Sequence, residues 1–145
     1  MGMDVMGITP LNEQGKYFRA NCWSWRPICV ALEDSGAAAL LDDKTWELMW
    51  ENSGGGPEDR FTCLQMAQKL EKWLLPRATS KGRYSPDCLS DTRVSLEPSE
   101  SGGYAFVPEE DWGKVESQSA YQAEWDHMKE FVIFLRNCGE GFEVW

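Results

Sequence analysis

Phe131-Val132-Ile133-Phe134-Leu135-Arg136-Asn137-Cys138-Gly139-Glu140-Gly141-Phe142-Glu143-Val144-Trp145 is the C-terminal stretch of the chain, and its period changes halfway. Before Gly139 the apolar residues recur at helical spacing. Tyr121, Trp125, Met128, Val132 and Leu135 stand at i, i+4, i+7, i+11 and i+14, and Phe131, Phe134 and Cys138 widen the face. After Gly139, Phe142 and Val144 alternate with Glu143, the period of a strand. Glycine at the junction is the usual helix stop. The reading is a helix over about Ser117–Asn137, central because so wide an apolar face is buried on more than one side, followed by a strand at Gly141–Trp145.

A strand must pair its backbone groups. At the other end, Met3-Asp4-Val5-Met6-Gly7-Ile8 alternates loosely and stops at Thr9-Pro10. The two chain ends are therefore expected to pair. Between them three more helices are expected. Ser24 serves as a cap for the first, with Pro27 in its first turn and Trp25, Ile28, Cys29 and Leu32 on one face, ending at Ser35-Gly36. The second runs about Asp42–Glu51 and buries Trp46, Met49 and Trp50. It stops at the run Asn52-Ser53-Gly54-Gly55-Gly56. That run lacks the Gly-Lys-Ser/Thr ending of a phosphate loop. Pro57 opens the third helix, whose stripe is Cys63, Ala67, Leu70 and Leu74 and whose end is Pro76. The fold class is α+β: an α-rich single domain over 1–145, about four helices, and a small sheet pairing the terminal strands. Residues 77–116 form a long irregular segment, with short strands at Arg93–Leu96 and Tyr104–Val107.

The 145 residues suit one domain, and 42% hydrophobic content with eight Trp supplies a core without staples. The formal charge of −10 opposes a role in gripping duplex DNA or RNA and favours a basic partner. The five cysteines, Cys22, Cys29, Cys63, Cys88 and Cys138, are odd in number and show no Cys-x-x-Cys spacing, so neither a disulfide framework nor a metal site is expected. A reducing, cytoplasmic setting follows, and no apolar run is long enough for a membrane span.

Tyr17-Phe18-Arg19-Ala20-Asn21-Cys22-Trp23-Ser24-Trp25-Arg26-Pro27 is the other informative stretch, with four large aromatics and two arginines. It is either the keel of the core or a surface that grips a ligand. In the second case Arg19, Trp23, Trp25 and Arg26 would hold a planar, nucleotide-like anion by stacking and guanidinium–phosphate pairing.

This block, with Gly7-Ile8-Thr9-Pro10 and Gly15-Lys16 before it, and Phe134-Leu135-Arg136-Asn137-Cys138-Gly139-Glu140-Gly141-Phe142 at the far end, resembles a family of small, uncharacterised bacterial and bacteriophage proteins. Members show Gly-x-x-Pro, Tyr-Phe-Arg and Trp-x-Trp-Arg-Pro near the N-terminus and Phe-Leu-Arg-x-Cys-Gly-Gly-Phe near the C-terminus. Glu140 departs from the pattern by splitting the glycine pair. The resemblance implies a bacterial or phage setting and no catalytic residue. Arg19, Arg26 and Arg136, which it includes, are expected to cluster and tie the chain ends to the core.

His127 is the only histidine, and no signature pairs it with a thiol. Glu109-Glu110-Asp111 with Trp112 suits docking onto a basic partner. Lys69, Lys72, Arg77, Lys81 and Arg83 form a basic corner relieved only by Glu71. The expected function is a non-enzymatic interaction protein, for example a phage-encoded inhibitor that lays its acidic surface on a host protein's nucleic-acid-handling groove. The alternative is a binder that sequesters a nucleotide-like signal. Neither reading requires a cofactor.

Overall fold

The computed structural model describes residues 2–79 and 82–145. The chain ends do pair. Strand β1 (Gly2–Gly7) lies between β2 (Tyr17–Asn21) and β8 (Phe142–Val144), antiparallel to both, with Val5 opposite Phe18 and Val144. Alternation sorts the faces. Met3, Val5, Phe18, Ala20, Phe142 and Val144 are buried, while Tyr17, Arg19, Asn21 and Met6 face out.

There are four α-helices, α1 (Cys22–Asp34), α2 (Asp43–Trp50), α3 (Arg60–Leu74) and α4 (Trp125–Asn137); α1, α2 and α4 pack against this sheet, and α3 packs on α4 and α1. The expected stripes of α1 and α3 are buried throughout, as is that of α4 from Trp125 onward, whereas Tyr121 lies before the helix and is half-buried. Phe131 on α4 sits at the centre, its ring 4.8 Å from Phe18, 5.9 Å from Trp25 and 6.0 Å from Phe134. Side-chain caps start three of the helices. Asn21, Asp42 and Asp59 accept from the backbone N–H groups of Ser24, Thr45 and Thr62 respectively.

Several boundaries differ from expectation. Helix α1 is capped by Asn21 and not by Ser24, so Pro27 falls in the second turn, where its missing N–H frees the Trp23 carbonyl. Helix α3 begins three residues after Pro57, because Asp59 provides the cap. Helix α4 begins at Trp125 and not near Ser117. The residues before it form β6 (Ser117–Ser119) and β7 (Ala123–Glu124). The segment 77–116 supplies their partners. Strand β3 (Arg83–Tyr84) pairs with β7, and β4 (Arg93–Ser95) pairs with both β5 (Phe106–Val107) and β6. Both short strands expected there are present.

The two segments that carry the family resemblance lock together. Ile8, Thr9 and Leu11 donate backbone hydrogen bonds to the carbonyls of Gly141, Cys138 and Asn137. Gly15 lies so close to α4 that a Cβ there would stand 1.7 Å from the Asn137 carbonyl oxygen. The glycine run after α2 does more than stop a helix. Gly54 donates to Val144, and Val144 donates to Gly55, so the run covers the edge of β8.

Candidate functional site

The eight tryptophans divide into two sets. Trp25 and Trp125 are buried, and Trp25 donates its indole N–H to the Met49 carbonyl at 3.1 Å. Trp23, Trp46, Trp50, Trp73 and Trp112 are only half-buried, and Trp145 is 52% exposed. Of the stripe expected on α2, only Met49 is enclosed. A short helix lying against β8 and the start of α1 can turn one residue inward, and the two flanking rings stay at the surface.

These half-exposed rings form a continuous ribbon. Trp46 meets Trp50 edge-on at 6.2 Å. The Arg26 guanidinium lies between rings, 6.0 Å from Trp50 and 5.9 Å from Tyr121. Tyr121 lies 4.9 Å from Trp23, and Trp23 lies 5.6 Å from Phe106, which is 59% exposed. Four elements far apart in sequence contribute to it. Along α2 the ribbon is bordered by Asp43, Glu47 and Glu51, exposed, four residues apart, and without ion-pair partners among the described residues.

A cavity of about 600 Å³ opens beside the ribbon's Trp23 end, at the outer edge of β2. Arg19, Asn21, Ser24, Arg83, Glu124 and His127 line it. Arg83 reaches Glu124 at 3.5 Å and Gln122 at 3.4 Å. Arg19 has neither an ion-pair nor a side-chain hydrogen-bond partner among the described residues. A smaller cavity of about 230 Å³ shares Asn21, Arg83 and Gln122 and is walled by Trp23, Tyr104 and Phe106.

The four residues read from sequence as a ligand grip do not meet in one place. Arg19 enters the larger cavity and Trp23 walls the smaller one. Arg26 belongs to the ribbon, and Trp25 is enclosed in the core, because successive residues of α1 point about 100° apart. Nor do the three arginines cluster: Arg136 pairs with Glu71 on α3 at 2.6 Å. Arg83 and Gln122 were missed as site residues. The basic run contained Arg83, but nothing local to either residue signalled a cavity. Of the rest of that run, Arg77 folds back over Trp73 at 4.7 Å, and Lys81 lies outside the described residues.

Glu109, Glu110 and Asp111 form one short turn. The first two are exposed, and Asp111 pairs with Lys114 at 3.5 Å. Trp112 is held inward, its N–H on the Val107 carbonyl at 3.0 Å and Arg93 over its ring, so this indole braces β4 and β5.

His127 stacks on Phe18 at 4.6 Å, and its Nδ1 is 3.6 Å from Glu130. The Ser24 hydroxyl donates to the Asn21 carbonyl at 3.3 Å. Among the described residues no hydrogen bond joins His127 to the Ser24 hydroxyl. The thiols are free; Cys29, Cys63 and Cys138 are buried. Burial pushes the Cys29 thiol well up, and contact with Cys138 together with burial pushes Cys63 up. Among the described residues no helix is long and apolar enough to cross a membrane. No protein-family model matches the chain, and neither does any curated protein or solved structure.

Proposed function

We propose that this is a non-enzymatic interaction protein that docks on a basic partner. The observation that carries this reading is the ribbon Trp46–Trp50–Arg26–Tyr121–Trp23–Phe106. Trp, Tyr and Arg are the residues in which protein-interface energy concentrates. A fold that needed these rings only for its core would enclose them, as it encloses Trp25. Carboxylates border the ribbon on α2, the exposed Glu109 and Glu110 add to the negative surface, and the chain carries −10 overall. That charge steers a basic surface toward the rings.

The resemblance to small bacterial and phage proteins supports a cytoplasmic, phage-encoded inhibitor acting on a nucleic-acid-handling host protein. Its acidic face would occupy the groove that otherwise takes phosphates. The test is recovery from bacterial lysate of a stoichiometric complex. Its dissociation constant should rise steeply between low and high salt. A complex indifferent to salt refutes the charge-steered reading.

A further inference from the structure

We infer that the cavity between β2 and β7 binds a nucleoside phosphate, with the phosphate at Arg19 and Arg83 and the base on the neighbouring aromatic wall. This goes beyond the docking reading: it shares Trp23 and Phe106 with the ribbon but rests on Arg19 and Arg83, which the ribbon does not contain.

Three observations combine. First, Arg19 projects from an edge strand into a cavity and has no carboxylate or side-chain acceptor of its own among the described residues. A guanidinium carries five donors in a rigid fork that matches a phosphate. The cross-strand neighbour of Arg19, Asp4, accepts from the Tyr17 hydroxyl and makes no ion pair with Arg19, which leaves the fork open to an external anion. Second, Arg83 enters the same cavity from β3, held only by contacts of 3.4 and 3.5 Å to Gln122 and Glu124. These are long for charge-assisted bonds, and a phosphate oxygen offers a better acceptor. The cavity also sits at the N-terminus of α1, whose dipole adds positive potential.

Third, the two cavities are continuous in their lining. Asn21, Arg83 and Gln122 belong to both, and beyond them stand Trp23, Tyr104 and Phe106. Tyr104 is 45% exposed and Phe106 59% exposed, so a flat ring finds open aromatic faces there. Base stacking on such a face is favourable whatever the base, because every base has a π-face. Between the two ends the Asn21 amide keeps its Nδ2 donor while its Oδ1 caps α1, and Glu124 offers an acceptor for ribose hydroxyls or an exocyclic amine. A bare anion would use only the arginine end, and an uncharged nucleoside only the aromatic end. The 600 Å³ of the larger cavity is within the usual range for small-molecule sites.

The test is calorimetric titration of the full chain with each of the four ribonucleoside monophosphates, with the matching nucleosides, and with inorganic phosphate. At least one monophosphate should saturate at one per chain, and roughly tenfold or more tightly than its nucleoside or inorganic phosphate. Arg19→Gln and Arg83→Gln should each weaken the monophosphate about tenfold or more and leave the nucleoside unchanged. Trp23→Leu should weaken the monophosphate and leave inorganic phosphate unchanged. Arg19 and Arg83 are exposed, so unchanged circular dichroism and melting temperature are expected of both glutamine variants. The inference is overturned if no monophosphate saturates at millimolar concentration, if inorganic phosphate binds as well as the nucleotide, or if Arg19→Gln binds like the parent chain.

Discussion

The indole N–H of Trp25 donates to the backbone carbonyl of Met49 across 3.1 Å, and both residues are fully enclosed. This one bond fastens the first turns of α1 to the last turn of α2. Trp25→Phe keeps most of the apolar volume and removes one hydrogen bond from the Met49 carbonyl, which still accepts from the Asn52 N–H. It should cost about 0.5–1.5 kcal/mol in urea unfolding. Trp25→Ala removes the ring as well and should cost about 3–5 kcal/mol. A Trp25→Phe variant as stable as the parent would show that the hydrogen bond contributes nothing.

The glycine run after α2 is required by close approach to β8. A Cβ on Gly56 would stand 1.8 Å from the Phe142 carbonyl oxygen, whereas one on Gly103 meets nothing within 4 Å. Gly56→Ala should destabilise by about 1–3 kcal/mol, because the strand must shift. Gly103→Ala should be neutral or stabilising by about 0.4–1 kcal/mol. Differential scanning calorimetry on the pair checks this.

The helix caps predict an acid limb. Backbone N–H groups of Thr45 and Thr62 hold the Asp42 and Asp59 carboxyls below their ordinary value of 3.8. A depressed native pKa gives stability that is present above the unfolded value and lost as pH falls through the native one. Asp59→Asn and Asp42→Asn should therefore lower the melting temperature at neutral pH and show a shallower loss below pH about 4. Parallel acid limbs in parent and variants would count against the caps.

Thiol titration reads the core. Cys88 is exposed and Cys22 half-buried, whereas Cys29, Cys63 and Cys138 are enclosed, with the Cys29 thiol held up by burial and the Cys63 thiol by its contact with Cys138 and by burial. The thiolate is the reactive form. An aromatic disulfide reagent at pH 8 should react at once with Cys88, more slowly with Cys22, and with the other three only after denaturation. Rapid reaction of all five would mean an open core.

Much of this was legible in the chain because it is local. The stripe Cys63–Ala67–Leu70–Leu74 and the switch at Gly139 need only neighbours to be read. The start of α4 was not, since Tyr121 stands at i−4 from Trp125 and mimics a helical face. It packs at a tilt against Trp23 instead, and its flanking residues pair with β4 and β3. Strand β2 does carry period-2 alternation, with Phe18 and Ala20 inward and Tyr17, Arg19 and Asn21 outward, but only two of its five residues are apolar and inward, and the aromatics that follow in α1 blur the period. At the candidate site Arg19 and Trp23 were nameable. Arg83 and Gln122 reach them only through pairing across sequence separations of 39 residues or more, which no local pattern encodes.

The most direct test of docking through the aromatic ribbon is a quantitative pull-down comparing the parent chain with Trp50→Ala and Tyr121→Ala. Trp50 and Tyr121 are half-buried, so the variants should stay folded, as circular dichroism can verify. The parent chain should retain one basic protein near equimolar ratio, and each variant should lose it by roughly tenfold or more. Retention of that partner by both variants as strongly as by the parent would contradict the account.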